Sequence, residues 1–272
     1  MPPTLAEAAV AVLTTAAPLD KARLTATHAA AWRCGAIATV GRAAPPDRPA
    51  RPDRPELRPP RDMPKRRRAG SRAGRIALLH ALAHIELNAI DLAWDIVARF
   101  AGAADGEPGP ALPRAFYADW VSVADDEARH FRLLVGRLAA LDAVYGDLPA
   151  HDGLWQAAAG TAGDLAARLA VVPMVLEARG LDVTPAMIVA LTGAGDAESA
   201  SVLQTIHDDE IGHVAIGRRW FEHLCACRGV EPVATWQTLV RAHFKGALKP
   251  PFNRASRDKA GLTAAFYEPL AG

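Results

Sequence analysis

Thiols are scarce in this chain. Cys34, Cys225 and Cys227 are the only three in 272 residues, and none stands in a Cys-x-x-Cys pair. An odd, unpatterned set excludes a disulfide framework and points to a reducing, intracellular (cytoplasmic) setting. Charge of one sign is lacking too: the formal net charge is +1. That excludes global attraction to nucleic acid and leaves only a local patch possible. The N-terminal stretch has no basic region before its apolar residues and carries Glu7, which argues against a secretory signal. Nowhere do the 18 or more uncharged apolar residues of a membrane span occur, so no membrane partner is expected. Strand-type alternation is missing, as are glycine-rich phosphate loops, zinc-finger spacings and serine-nucleophile elbows, and no nucleotide cofactor is expected.

What is present is alanine and leucine at helical spacing. An all-α fold follows, with two short N-terminal helices near 4–16 and 19–34. Residues 41–75 interrupt it. They hold eight prolines, and twelve Lys/Arg against four Asp/Glu, giving a local charge of +8. Proline at that density forbids helix and favours an extended strap, solvated or laid against an acidic partner such as nucleic acid. Four long helical segments come next: about 74–101, 113–145, one beginning near Asp164, and 196–229. The third is expected to kink at Pro173 and to break at Gly180–Pro185. A last helix over 231–247 leads into an irregular tail, LKPPFNRASRDKAGL. The organisation read from this is 1–40 N-terminal helices, 41–75 strap, 76–230 helical core, and 231–272 C-terminal helix and tail.

The chemistry lies in where the acids fall. Each long segment has an apolar stripe, and each stripe contains one glutamate: Glu86, Glu127, Glu177 and Glu210. A lone buried carboxylate is costly and takes up a proton, whereas several that meet require cations. Residues 124–130 read ADDEARH and 207–213 read HDDEIGH, so two of the glutamates carry histidine three residues on, at His130 and His213. Positions i and i+3 project from one helical face. Four carboxylates and two imidazoles balance two divalent ions, and this donor set suits iron, or else manganese. Spacing agrees: Glu86 lies roughly 24 Å from the end of its helix and Glu127 roughly 21 Å from the start of the next, at 1.5 Å per residue. An antiparallel pair therefore brings the two acids level. Asp126 and Asp209 sit on the flank of the same faces, within reach of a ligand imidazole N–H. His80 and His84 read as a polar-face pair away from Glu86, and His207 as a core or surface residue.

The stretches HALAHIELNAIDLAWD, DWVSVADDEARHFRLL, VPMVLEARGLDVTP and HDDEIGHVAIGRRWF resemble the ferritin-like superfamily. More narrowly they resemble an uncharacterised bacterial ferritin-like family, itself distantly similar to hydroxylases that modify methylthio-isopentenyl-adenosine in tRNA. The resemblance implies a ferritin-like four-helix bundle with extra N- and C-terminal helices. It also implies a di-iron site with one Glu from each of two helices and Glu-x-x-His from each of two others. An O2-activating oxidoreductase acting on a small-molecule or RNA-linked substrate, with an electron donor the resemblance does not specify, is then the expected function. An iron-handling protein without organic substrate is the alternative. The Asp-Glu-x-Arg-His form at 126–130 also resembles half of the site in bacterial multicomponent monooxygenases. The second copy departs from it, with Gly212 where Arg would stand.

Overall fold

Helix-forming residues outnumber all others here, and the chain is all-α, with no strand among the described residues. The computed structural model describes residues 2–59, 62–63, 70–102 and 112–272. The chain forms two compact units, Met1–Trp155 with Ala190–Val202, and Gln156–Val189 with Leu203–Gly272.

In the first unit, α1 (Leu5–Leu13) opens on a capping box in which Thr4 and Glu7 satisfy each other's end of the first turn. Helix α2 spans Pro18–Arg33, α3 Arg72–Arg99 and α4 Arg114–Ala140. Arg72 donates to the Leu141 carbonyl, Glu86 meets His130, and Tyr117 Oη donates to the Phe100 carbonyl at 3.2 Å. The partner number falls as the first rises, so α3 and α4 are antiparallel along their whole length. Trp94, Trp120, Phe116 and Phe131 are fully buried between them and their neighbours. Helix α3 is long and apolar enough to cross a bilayer by composition, but 67% of its most apolar window is buried inside the protein, the pattern of a core helix. Helix α4 stops five residues before the expected 145. Asp142 takes a left-handed φ of 47°, and the Ala143 N–H returns to the Leu138 carbonyl at 3.0 Å. Aspartate there does what glycine usually does at a helix end. The next glycine, Gly146, stands four residues further on.

The strap is extended in its described part, and one of its arginines, Arg51, is turned into the protein while Arg48 and Arg58 stay about half exposed. Backbone bonds tie Ala50 to the Leu13 carbonyl and pair Glu56 and Arg58 with Ala150. Arg51 reaches two buried groups of α3, Asp91 at 2.7 Å and Asn88 at 2.6 Å. Asp91 also binds Lys21 of α2, which is itself 1% exposed. Arg48 pairs with Asp152 at 2.8 Å. Residues 64–69, which include Arg66, Arg67 and Arg68, lie outside the described residues.

His80 and His84 are buried rather than on a polar face. His80 Nε2 accepts from the Gly146 N–H at 2.9 Å, and His84 Nδ1 lies 2.8 Å from Tyr145 Oη. They lock the turn after α4 onto α3. Burial, with Arg51 nearby, pushes the His84 pKa down to about 3, so this imidazole is neutral at any ordinary pH.

The short helix α5 (Gly153–Ala159) is followed in the second unit by α6 (Leu165–Val171), capped by Asp164. Val172–Glu177 then forms a π-helical segment, and α7 runs Ala178–Gly193. The expected break at 180–185 is absent: the helix continues through Pro185. Proline leaves the carbonyl four residues back without its donor. Asn253 Nδ2 supplies that bond to the Leu181 carbonyl at 3.1 Å. Pro173 does not simply kink the helix either; it sits in the widened π turn. Helix α8 (Ala197–Arg228) has glycine opposite it, because a Cβ at Gly217 would lie 2.4 Å from the Pro173 ring. The last expected helix is α9 (Pro232–His243), whose Trp236 Nε1 donates to the Ala170 carbonyl at 3.2 Å. The tail is not wholly irregular: α10 (Arg254–Lys259) is capped by Asn253, and α11 spans Ala264–Tyr267. Helices this short leave no periodic signal in a sequence.

Candidate metal centre

Two glutamates meet in the first unit where apolar residues would ordinarily pack. The antiparallel register sets Glu86 of α3 against the Glu127–His130 turn of α4. Glu86 is 4% exposed, and Glu127 and His130 are completely buried. His130 Nδ1 lies 3.2 Å from Glu86 Oε2 and 3.5 Å from Glu127 Oε2. Burial, and then the negative charge of Glu127 beside it, hold the Glu86 carboxyl well above the usual range; the nearby His130 opposes this only in part. One imidazole cannot neutralise two desolvated carboxylates. Either a proton stays on the pair or a cation sits between them, and the donor set fits a metal ion.

The second unit presents the repeated motif. His213, 2% exposed, has its Nδ1 3.6 Å from Glu210 Oε1 on the same helix face, and the Glu210 side chain is 12% exposed. Glu177 is the last residue of the π segment and is half-buried. Asp164 pairs with Arg228 at 3.9 Å and Pro173 packs on Gly217, so α8 runs antiparallel to α6 and the π segment. That register brings Glu177 level with the Glu210–His213 turn.

Of the six expected ligands, Glu86, Glu127 and His130 come together in the first unit as donors that can hold a metal ion, and Glu210 and His213 share one helix face in the second. Asp126, 35% exposed, accepts a hydrogen bond from Arg129 one turn on, at 3.0 Å. Asp209 is half-buried on the flank of α8. His207 Nε2 lies 3.1 Å from Ser256 Oγ of α10, which gives it a place in the core of the second unit.

Without metal, Glu86 has a testable consequence. A carboxyl whose folded pKa is raised binds its proton more tightly in the native than in the unfolded chain. It therefore contributes stability at low pH that is lost as pH climbs above the ordinary carboxylate range. The metal-free protein is expected to lose thermal stability on going from pH 5 to pH 8, and a divalent metal is expected to restore it while releasing protons. Melting temperatures with and without chelator across that range check this. A metal-free protein that gains stability steadily over the same window contradicts it.

Comparison with known proteins places residues 14–268 within the family described as protein of unknown function (DUF455). An uncharacterized protein of Haemophilus influenzae is 42% identical over 209 residues, covering 77% of this chain and 72% of that protein. No solved structure matches the chain.

Proposed function

We propose, for a chain that belongs to the DUF455 family of proteins of unknown function, a dimetal carboxylate protein that activates O2 to oxidise an organic substrate. Two iron ions, or manganese, are held by Glu86, Glu127, His130, Glu177, Glu210 and His213. The observation that carries this reading is the buried Glu86–Glu127–His130 cluster, which has more negative charge than its imidazole can balance. The Asp-Asp-Glu-x-x-His repeat on α8 supports a second set of the same kind. So does the resemblance to ferritin-like di-iron proteins, whose ligand pattern is one Glu from each of two helices and Glu-x-x-His from each of two more.

Bound iron supplies two electrons for the reduction of O2. The chain's own residues do the rest. Glu86 and Glu127 exchange a retained proton for the cation. The surrounding Trp120 and Phe131, both buried, keep bulk water from the carboxylates. The substrate is a small molecule or an RNA-linked group, and a strap contact with nucleic acid would run through the basic residues of 41–75. The alternative is an iron-handling protein that oxidises iron and passes it on.

The two readings diverge once the reduced site has reacted with O2. Protein loaded with ferrous iron and exposed once to O2 is expected to keep its iron, at constant stoichiometry, and to consume no further ferrous iron. Continued oxidation of added iron, with release of ferric iron or growth of a mineral, would replace the oxidoreductase reading with iron handling.

A further inference from the structure

A second polar site lies in the second unit, in a pocket of about 270 Å³. One wall is Val175 and Leu176 of the π segment, the two residues just before Glu177. Facing them is the stretch after α9, with Phe244, Lys245, Leu248 and Lys249, and then Phe252. The pocket is apolar in its walls and cationic in its side chains: Arg179, Lys245, Lys249 and Arg257 all line it, against one acid, Asp182.

That acid is already neutralised. Arg257, 4% exposed, holds Asp182 with both Nε (2.8 Å) and Nη2 (2.7 Å), and its guanidinium lies over the rings of Tyr267 (4.4 Å) and Phe252 (5.0 Å). Arg179 touches the same acid through one nitrogen only, its Nη1 lying 3.4 Å from Asp182 Oδ2. The same nitrogen donates to the Lys249 carbonyl at 2.6 Å, which orients the fork and leaves Nε and Nη2 uncommitted among the described residues. Lys245 and Lys249 carry no ion pair among the described residues. Four cations therefore line a space with one carboxylate, which Arg257 holds with two nitrogens and Arg179 meets with one, and both lysines are left without a counter-charge among the described residues. Scattered surface lysines face bulk water. These share one concavity with an oriented arginine and two phenylalanines.

We propose that this pocket binds a small organic phosphate: a phosphate monoester whose dianion sits among Arg179, Lys245 and Lys249 and whose apolar body lies against Phe244, Leu248 and Phe252. A planar guanidinium with two free donors matches phosphate oxygens, and three positive charges suit a dianion better than a single carboxylate. Pockets of this kind combine apolar walls with a few polar groups that set orientation. The site stands on the second unit alone and holds whether or not Glu177 takes a metal. Its occupant would lie beside the turn that carries Glu177.

Calorimetric titration of the full chain, in chelator, with phenyl phosphate, inorganic phosphate and benzoate tests it. Phenyl phosphate is expected to bind most tightly, inorganic phosphate more weakly for want of the apolar body, and benzoate more weakly for want of the second charge. Lys245→Gln/Lys249→Gln and Arg179→Gln are each expected to weaken phenyl phosphate about tenfold or more, ~1.4 kcal/mol. Arg241→Gln, on the exposed face of α9 and outside the pocket, is expected to leave it unchanged. Equal affinity for inorganic and phenyl phosphate would remove the organic body from the proposal. No binding of any probe, or equal binding by wild type and the Lys245/Lys249 variant, would overturn the site. The lysine pair is exposed, so its variant folds and the comparison stays decisive even where Arg179→Gln perturbs the turn to Lys249.

Discussion

Glu127→Ala protein is expected to bind metal more weakly than wild type by well over the 10–100-fold that loss of an outer-shell partner costs, because a direct donor is removed. The reasoning starts from charge. Glu127 is completely buried and shares His130 with Glu86, so it supplies one of the negative charges that a cation in this place would balance. Taking it away also relieves Glu86 of the like charge that helps to raise its pKa. The variant should therefore lose metal and, at the same time, show a shallower fall in metal-free stability with rising pH, since burial still holds the Glu86 carboxyl up. His130→Ala should lose metal too, but should keep the steep pH dependence, since the two carboxylates still face each other without their imidazole. The two variants thus move metal affinity together and pH dependence apart. Equal metal affinity in wild type and both variants would take these residues out of the ligand set.

Asp91→Ala is expected to cost about 3–5 kcal/mol, the usual penalty for breaking a buried ion pair by removing one partner. Asp91 and Lys21 are 0% and 1% exposed, and Arg51 joins them from the strap at 2.7 Å. Without the carboxylate, two cations remain in a space too dry to solvate them. Burial already lowers the Lys21 pKa even with Asp91 in place. The loss is a large share of a typical folding free energy of roughly 5–15 kcal/mol. It should come with exposure of the strap, read as faster proteolysis around residues 44–59. Chemical denaturation checks the magnitude. A loss under about 1 kcal/mol would mean that the cluster is solvated and that the strap is not anchored by it.

The acids of α3 and α4 were legible in the sequence for a simple reason. A glutamate inside an apolar stripe breaks a pattern that every neighbour keeps, and helix rise alone predicts that Glu86 and Glu127 come level. The repeated Asp-Asp-Glu-x-x-His motif marks Glu210 and His213 in the same way. Other features depend on partners distant in the chain. Arg51 contributes to composition alike whether it lies in water or against Asp91, so the strap's anchoring left no local trace. Pro185 reads as a helix breaker until Asn253, 68 positions on, supplies the missing donor. Asp142 ends α4 in a left-handed turn that glycine ordinarily signals. His80 and His84 look like a polar pair because Tyr145, which buries them, stands in a turn with no periodicity. The cationic pocket was invisible for the same cause: Arg179 and the two lysines are some 70 residues apart and meet only in the fold.

The central claim is that the buried carboxylates exist to hold metal, and elemental analysis tests it most directly. Chain purified from its native host, without added metal or chelator, is expected to carry about two transition-metal ions, iron or manganese, as a dimetal carboxylate site requires. The Glu127→Ala chain prepared in parallel should carry far less. A wild-type chain that is folded and free of transition metal, with a stability that chelator leaves unchanged, would contradict the account.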